Sequence, residues 1–329
     1  METVAVIGSN SFSGSHFIDF LLRNSEYNVI GISRSPEKPK LYLPYKRPNE
    51  PRFRFHRMDL NKDSAAILRL IDGKKPSFVV NFASQSMVGE SWKNPEHWYN
   101  TNVLSTVKLT NALKEKKFLR KYVHVSTPEV YGTCSGSVNE KFPFNPSTPY
   151  AASRAAADVF IQLLVREFRF PAVFTRAANV YGPGQQLFRI IPRSIIYAKK
   201  GKKIPLHGGG VARRSFIHIR DVCGATSRIM EDAKAGEVYH LSTEKLHSVR
   251  GLVKIICDKM KVDFSGAVED TKPRIGLDDA YILDSSKARR EFGWKPEIDL
   301  DRGLDEVIGW IEDNWGIISK EPLEYMHKE

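Results

Sequence analysis

The chain has 329 residues, of which 41% are hydrophobic and 27% charged, a composition typical of a globular protein with one large or two modest domains. Its three cysteines are widely spaced without a Cys-x-x-Cys pair, which argues against a metal site and favours reduced thiols in the cytoplasm. The formal charge of +12 is scattered rather than gathered in one basic tract, which argues against nucleic acid as the partner, and no apolar run is long enough to span a membrane.

A strand, a glycine turn and a helix open the chain. Thr3 to Ile7 is predicted as a short buried strand, and an apolar-periodic helix is predicted over His16 to Leu22. Between them Gly8 permits a tight turn and Gly14 permits close packing of the helix on the strand, while Ser11 takes the middle position of a Gly-x-x-Gly-x-x-Gly pattern. The N–H groups at the start of this helix would face a pyrophosphate, so the segment predicts a dinucleotide site.

The next elements continue the alternation of strands and helices. Strands are predicted over Tyr27 to Ile32, Arg52 to Met58 and Ser77 to Phe82, and a helix over Ala65 to Ile71. Arg34 follows the second strand, where an acidic residue would bind the ribose hydroxyls of NAD and an arginine suits the additional phosphate of NADP. The predicted cofactor is therefore NADP or NAD, with NADP favoured.

The middle of the chain completes the pattern that predicts the fold class. A long helix is predicted from Pro95 to Lys117, followed by a strand from Tyr122 to Ser126 and a helix from Tyr150 to Arg169. The strand–helix unit recurs about six times along the chain, which predicts an α/β fold with a parallel, doubly wound sheet.

Four residues in this region suggest chemistry. Thr127 and Glu129 follow the strand at the edge where open α/β sheets keep their active sites. Tyr150 and Arg154 share one face of the next helix, and a phenol beside a fixed cation can act as a general base because the positive charge favours the phenolate. Together the set can oxidise an alcohol and then remove a proton next to the new ketone. The alternative is a tyrosine and an arginine that merely pack.

The motifs Ser-Thr-x-Glu-x-Tyr-Gly and Tyr-x-x-x-cation resemble the active site of extended short-chain dehydrogenases/reductases that act on nucleotide sugars, and most closely that of the sugar 4,6-dehydratases. The chain departs from that pattern twice. Arg154 stands where the family has lysine, which exchanges a titratable ammonium for a permanently charged guanidinium. Pro128 stands where glucose-type dehydratases place an acidic residue, which removes a candidate proton donor.

The resemblance extends over nearly the whole chain and implies two sets of binding residues. Those implied for the cofactor lie in the glycine turn, at strand ends and at the start of the Tyr150 helix: Gly8, Ser11, Phe12, Gly14, Arg34, Asp59, Leu60, Ala83, Tyr150 and Arg154. The residues implied for binding a nucleotide-diphosphate sugar are Ser86, Asn179, Arg214 and Arg274. The forked donors of the two arginines suit a diphosphate.

The same resemblance implies the domain organisation. A Rossmann-type NAD(P)-binding domain would comprise residues 1–176, with 212–243 returning to it. A smaller C-terminal α/β nucleotide-sugar-binding domain would comprise 177–211 and 244–329. A homodimer would form through the helices at 95–117 and 150–169.

The function implied is that of a cytoplasmic NAD(P)-dependent nucleotide-sugar 4,6-dehydratase, a lyase with internal hydride transfer, because a simple 4-epimerase needs no base such as Glu129 at C5. Two alternatives stay open. One is an epimerase or decarboxylase of the same family, and the other is a catalytically silent NAD(P)- or RNA-binding member.

Overall fold

Seven parallel strands form the main sheet of the computed structural model, which describes residues 1–134, 136–272 and 282–328. The strands of the described residues are β1 Thr3–Ile7, β2 Asn28–Ser33, β3 Phe53–Arg57, β4 Phe78–Asn81, β5 Lys121–Val125, β6 Ser137–Val138, β7 Ala172–Ala177, β8 Asn179–Tyr181, β9 Ile204–His207, β10 Arg213–His218, β11 Val238–Leu241, β12 Leu246–Ser248, β13 Val268–Thr271 and β14 Ile282–Leu283.

The order of the main sheet is β11-β7-β5-β4-β1-β2-β3, and all its neighbours are parallel. The strand order reverses between β1 and β4, and ligands of such sheets bind beside this switch point at the carboxyl ends of the strands. The predicted doubly wound parallel sheet is confirmed, with seven strands rather than about six because β11 joins the edge beside β7.

Helices cover both faces of the sheet. The helices of the described residues, of which only some lie on the sheet, are α1 Phe12–Asn24, α2 Ser64–Lys74, α3 Pro95–Trp98, α4 Thr106–Leu113, α5 Pro149–Phe168, α6 Ile190–Lys199, α7 Ile219–Asp232, α8 Val249–Lys259, α9 Phe264–Ala267, α10 Ser286–Phe292, α11 Leu300–Asp313 and α12 Trp315–Ile318. Strand β1 shows how the faces are filled. Val4 and Val6 belong to the core packed by α1 and α7, whereas Ala5 and Ile7 belong to the core packed by α2, α4 and α5. Alternate residues of a strand face opposite sides, so each strand stabilises both layers.

The long helix predicted from Pro95 to Lys117 differs from that expectation. The helical run ends at Leu113, and its middle turn, Tyr99–Ser105, is a π-helix between α3 and α4. The π turn widens the spacing of side chains at Asn102, and such turns are common at functional sites. The other helices agree with prediction to within a few residues, α1 starting at Phe12 because Ser11 caps it.

A second apolar core lies beside the carboxyl edge of the sheet. Helices α6, α8 and α11 pack together through buried aliphatic side chains such as Ile195, Ile256 and Val307. Strands β8, β10 and β12 form a small sheet next to this core, and β9 pairs with β13. The cleft between the second core and the main sheet is where the candidate site lies. Among the described residues no helix has the length and apolar character needed to cross a membrane.

Candidate active site

The glycine turn after β1 forms a narrow cradle. Gly8 has a φ of +85°, and a Cβ atom added there would lie 2.7 Å from the main-chain nitrogen of Ala83. A Cβ atom on Gly14 would lie 2.3 Å from the carbonyl oxygen of Gly8. Ser11 caps α1, because its Oγ accepts a hydrogen bond from the Gly14 nitrogen at 3.0 Å. Only glycine permits these approaches, and the open first turn of α1 fits the pyrophosphate of a dinucleotide.

Two adjoining cavities extend from this cradle, with volumes of about 490 and 480 Å³. They share Ser11, Phe82 and Ser86, so they form one continuous cleft. The first cavity is lined by six of the predicted cofactor residues, Gly8, Ser11, Arg34, Asp59, Leu60 and Ala83. The second is lined by Phe12 and by the four predicted catalytic residues, Thr127, Glu129, Tyr150 and Arg154. Gly14 lies behind the cradle and supports it through close packing.

Asn10 organises the loop after β2, although no motif in the sequence singled it out. Its amide donates to the carbonyl oxygens of Ser35 and Pro36 at 2.8 and 2.9 Å, and its Oδ1 accepts from the Tyr45 hydroxyl at 3.1 Å. Asn10 is 5% exposed. This buried amide therefore fixes the loop that carries Arg34 against the glycine turn.

The turn that carries two of the predicted catalytic residues, Thr127 and Glu129, begins where β5 ends. Thr127 is extended and caps a short 3-10 helix, Pro128–Tyr131, with its Oγ1 accepting from the Glu129 nitrogen at 3.3 Å. Proline suits the first position of this helix because that position needs no N–H donor. Tyr150 lies in the first turn of α5, which Thr148 caps. The three side chains of Thr127, Glu129 and Tyr150 thus meet in the second cavity.

Opposing influences act on the Tyr150 phenol, which is 8% exposed. Burial raises its pKa above the ordinary value because the phenolate is desolvated, and the charge of Glu129 raises it further. The positive charge of Arg154 and a hydrogen bond with Thr127 act in the opposite direction, and Arg189 adds a smaller lowering. Arg154 thus lowers the pKa of Tyr150 as predicted, but burial raises that pKa by more.

Arg154 is buried beneath this phenol. It donates to Nε2 of His124 at 3.2 Å and also to the Val125 carbonyl oxygen. Burial and the charge of Arg154 lower the pKa of His124 to about 3, so the imidazole is neutral. Since a guanidinium can only donate, this hydrogen bond requires the tautomer with its proton on Nδ1, which lies 3.5 Å from the Tyr122 hydroxyl.

Asp158 lies one turn further along α5 and is fully buried. Its Oδ2 accepts from Arg176 and from the Ser126 hydroxyl, each at 2.7 Å. Two guanidinium groups, those of Arg154 and Arg176, therefore share this interior with one carboxylate. The surplus positive charge lies under Tyr150, where it favours the phenolate.

Asn102 connects the loop after β4 to α5. Its Oδ1 accepts from the Gln85 nitrogen at 2.8 Å, and its Nδ2 donates to the Gln85 carbonyl oxygen at 3.0 Å and to the Ser153 hydroxyl at 2.9 Å. The residue is fully buried in the π turn. One amide therefore holds the loop that contains Ala83 and Ser86 at a fixed distance from the helix that carries Tyr150.

Arg189 is a site residue that the sequence reasoning missed. It precedes α6 and donates to the Ser86 hydroxyl at 3.3 Å. Burial lowers the pKa of its guanidinium, while the charges of Tyr150, Tyr325 and Glu129 counteract that effect, which means that these groups are near it. The signal available in the sequence was a basic residue directly between a turn-rich loop and a helix.

The predicted substrate residues are only partly brought together. Ser86 and Asn179 line the second cavity. Arg214 is buried in β10 and donates to the Arg213 carbonyl oxygen at 2.8 Å, outside the lining of both cavities. Arg274 lies outside the described residues. The substrate roles of Arg214 and Arg274 stay predictions.

Solved structures resemble this architecture over its whole length. The dTDP-glucose 4,6-dehydratase DesIV of Streptomyces venezuelae, solved with NAD, superposes with a TM-score of 0.90 at 31% identity, covering 98% of this chain and 100% of that one. The human dTDP-D-glucose 4,6-dehydratase is 31% identical over 324 residues, which cover 95% of this chain and 91% of the relative.

Other relatives are longer than this chain. A trifunctional UDP-glucose 4,6-dehydratase, 3,5-epimerase and reductase of Arabidopsis thaliana is 28% identical over 326 residues, covering 97% of this chain but 49% of the relative. The chain therefore spans about half the length of that relative. A family model described as GDP-mannose 4,6 dehydratase matches residues 6–307. The predicted resemblance to nucleotide-sugar dehydrogenases/reductases is thus confirmed, and the chain belongs to the GDP-mannose 4,6 dehydratase family.

Proposed function

We propose that this protein is an NAD-dependent nucleotide-sugar 4,6-dehydratase, which converts an NDP-hexose to its 4-keto-6-deoxy form. The observation that carries the proposal is the convergence of Thr127, Glu129 and Tyr150 in one cavity continuous with the dinucleotide cradle. A bound nicotinamide ring would supply the hydride acceptor for C4 and the hydride donor for C6. The remaining steps are proton transfers, and each falls to a residue of this chain.

Tyr150 acts as the base at the sugar O4 hydroxyl. The buried positive charge of Arg154 favours its phenolate, and Thr127 hydrogen-bonds the same phenol and orients O4. Arg154 also extends to the edge of the second cavity, where it would meet the nicotinamide ribose. Base strength and cofactor orientation therefore depend on one buried guanidinium.

Glu129 removes the C5 proton once C4 is a ketone, because a neighbouring carbonyl acidifies that position. Hydroxide must then leave C6 with a proton. Pro128 offers none, so protonated Glu129 returns the C5 proton to the leaving group, directly or through water. One carboxyl group thus serves as base and then as acid. When the hydride returns to C6, C5 takes up a proton from solvent, which replaces the proton lost with the water. A 4-epimerase would have no use for this residue.

The cofactor residues proposed are the ten predicted from the sequence, with NAD as the dinucleotide. NAD is present in the DesIV structure. The prediction of NADP rested on Arg34. Its guanidinium donates to the Lys328 carbonyl oxygen at 3.2 Å, and this hydrogen bond would compete with one to a 2′-phosphate. The substrate residues proposed are Ser86, Asn179, Arg214 and Arg274, together with Arg189.

The assembly and location proposed are a homodimer in the cytoplasm, with the two-part domain division given above. Support for the dimer comes from exposed apolar side chains on the two helical runs around 95–117 and 150–169. These side chains are 40–55% exposed: Tyr99, Leu104, Val159, Leu163 and Phe168. Support for the cytoplasm comes from the buried thiols of Cys223 and Cys257.

A second candidate is a decarboxylase or epimerase acting on a nucleotide-linked uronic acid. The specific observation is Arg189, a guanidinium beside Tyr150 and Glu129 in the sugar cavity. A forked donor at this place would pair with a C6 carboxylate. The two candidates predict different leaving groups, since a dehydratase releases water and a decarboxylase releases CO₂.

The experiment is a panel of GDP-, dTDP-, UDP- and CDP-hexoses, with UDP-glucuronic acid added, incubated with the purified protein and read by mass spectrometry. Loss of one water from a neutral hexose supports the dehydratase. Loss of CO₂, or inversion at C4 found by proton NMR because it leaves the mass unchanged, identifies the second candidate. If every nucleotide sugar is recovered unchanged by a protein that binds NAD, the catalytically silent alternative replaces both.

A further inference from the structure

The segment that follows α12, residues 319–328, crosses the mouth of the cofactor cavity, and we refer to it as the strap. After the turn at Ser319 and Lys320 its burial alternates, since Leu323, Tyr325 and His327 are partly buried while Pro322 and Met326 are exposed. Alternate burial is what an extended chain shows when one side rests on a surface. The strap was not singled out by the sequence, because its partners are distant in the chain.

Both ends of the strap are attached, and to different cores. At its start, Lys200 donates to the Ser319 carbonyl oxygen at 2.7 Å, and Leu323 packs on the core formed by α6, α8 and α11. Tyr325 then meets Phe188 edge to face, with 5.3 Å between ring centroids. The first half of the strap therefore belongs to the side of the cleft that faces the substrate.

The far end is attached to the Rossmann side. The His327 ring stacks on Trp98 with 5.2 Å between centroids, and its Nε2 lies 2.8 Å from Nδ1 of His97. The Lys328 carbonyl oxygen accepts from Gln85 at 2.5 Å and from Arg34 at 3.2 Å. Gln85 and Arg34 themselves line the cofactor cavity. The strap thus closes over the cavity from one wall to the other.

We propose that the strap is part of the cofactor site: it covers the adenosine half of the cleft, retains the dinucleotide, and must detach before the dinucleotide enters or leaves. It forms no strand pairing with any described residue and is held by single hydrogen bonds and ring contacts, so it can open locally while the two cores stay folded. The inference rests on the proposed function. A reaction that returns its hydride internally has no need for cofactor exchange at each turnover, so slow exchange is compatible with catalysis.

The test measures the association and dissociation rates of NAD on the folded protein. One variant stops after Glu321, which keeps the bond between Lys200 and Ser319, and a second is His327→Ala in the full chain. The control is Ile317→Ala, since this side chain is 50% exposed just ahead of the strap. A fluorescence signal for binding and a chase with excess apoprotein give the two rates.

A gate that covers a site slows entry as well as exit. We therefore expect both rates to rise in the two strap variants, each by roughly fivefold to tenfold for the loss of one or two hydrogen bonds, and neither to change in Ile317→Ala. His327→Phe, which keeps the stacking on Trp98, should fall between wild type and His327→Ala.

If the variants only damage the site, the dissociation rate of NAD rises but its association rate does not. That result overturns the proposal. Unchanged rates in both strap variants overturn it as well. Failure of the wild-type protein to bind any dinucleotide would instead refute the proposed function, so the two failures are distinguishable.

Discussion

Arg154 and His124 are joined by a hydrogen bond of 3.2 Å from a guanidinium nitrogen to Nε2 of a neutral imidazole. The same guanidinium donates to the Val125 carbonyl oxygen while its charge acts on Tyr150. A planar fork with five donors can serve a ring nitrogen and a carbonyl oxygen together, and it stays charged at every working pH. An arginine at the lysine position of the Tyr-x-x-x-Lys pattern therefore keeps a positive charge beside Tyr150.

Replacing Arg154 should move the pH dependence of hydride transfer. Arg154 lowers the pKa of Tyr150 against the effect of burial, so Arg154→Met should let that pKa rise. The active phenolate would then form only at higher pH, and the rising limb of kcat/KM against pH should move upward. Each pH unit of movement removes about tenfold of the rate near neutrality.

Arg154→Lys is the matched control, because it keeps the charge and should keep the profile near that of wild type. A profile that is the same in Arg154→Met as in wild type would mean that the charge at 154 does not act on the base.

Glu129→Gln separates the two chemical stages. The amide cannot take the C5 proton, so water loss and solvent-deuterium incorporation at C5 should fall by at least about 10²-fold, while the sugar still reduces the bound dinucleotide. The Glu129 charge raises the pKa of Tyr150, and the amide removes that charge. The rising limb of the pH–rate profile for hydride transfer should therefore move to lower pH, opposite to its movement in Arg154→Met. Mass spectrometry and dinucleotide absorbance measure the two stages. Wild-type rates of dehydration in this variant would exclude Glu129 as the base.

Gly8→Ala should abolish cofactor binding. Its Cβ would meet main-chain atoms of Ala83 and Phe82 at 2.7 and 2.9 Å, at a φ of +85° that alanine rarely adopts. Strain of this kind costs about 1–3 kcal/mol before the displaced loop is counted. Isothermal titration with NAD and a urea titration measure the two consequences.

Gly73→Ala provides the comparison, because Gly73 lies near the end of α2 with open space around it. Alanine is the better helix former, so this change should stabilise the protein by about 0.5–1 kcal/mol and leave NAD affinity alone. Similar losses of NAD affinity in Gly8→Ala and Gly73→Ala would mean that cofactor binding does not depend on the close approach of Gly8 to the neighbouring main chain.

Asp158→Asn should destabilise the fold severely. The substitution leaves Arg176, which is 1% exposed, without its carboxylate partner, and an uncompensated buried charge costs about 3–5 kcal/mol. The free energy of unfolding in urea measures it. Lys93→Ala, which breaks the exposed pair with Glu90, should change stability by less than about 1 kcal/mol. Equal losses of stability in Asp158→Asn and Lys93→Ala would contradict a stabilising buried pair of Asp158 and Arg176.

Leu163→Glu should dissociate the proposed dimer. The side chain is 40% exposed on α5 beside Val159, and a carboxylate buried in an apolar interface costs several kcal/mol. Analytical ultracentrifugation measures the mass. Ile317→Glu introduces the same charge at an exposed apolar side chain on α12 and should leave the mass unchanged. A dimer that persists in Leu163→Glu would place the interface elsewhere.

The sequence predicted what depends on local pattern and failed where distant segments meet. The cradle at Gly8 and the turn at Thr127 lie where a strand ends, so position along the chain was sufficient to find them. Arg189 reaches the site from the start of α6, and Tyr325 reaches it from the strap, so their positions depend on packing between elements. The π turn at Asn102 was hidden because its residues fit an ordinary helix equally well.

The three hydrogen bonds of Asn102 have a consequence for how the site responds to ligands. They tie the Gln85 main chain to Ser153, one turn from Tyr150, so the loop is held directly against the helix. Two walls of the second cavity, the proposed sugar site, are thereby preorganised before any ligand arrives. Binding energy from the nucleotide is then not consumed in ordering this part of the pocket and remains to align the sugar with the base.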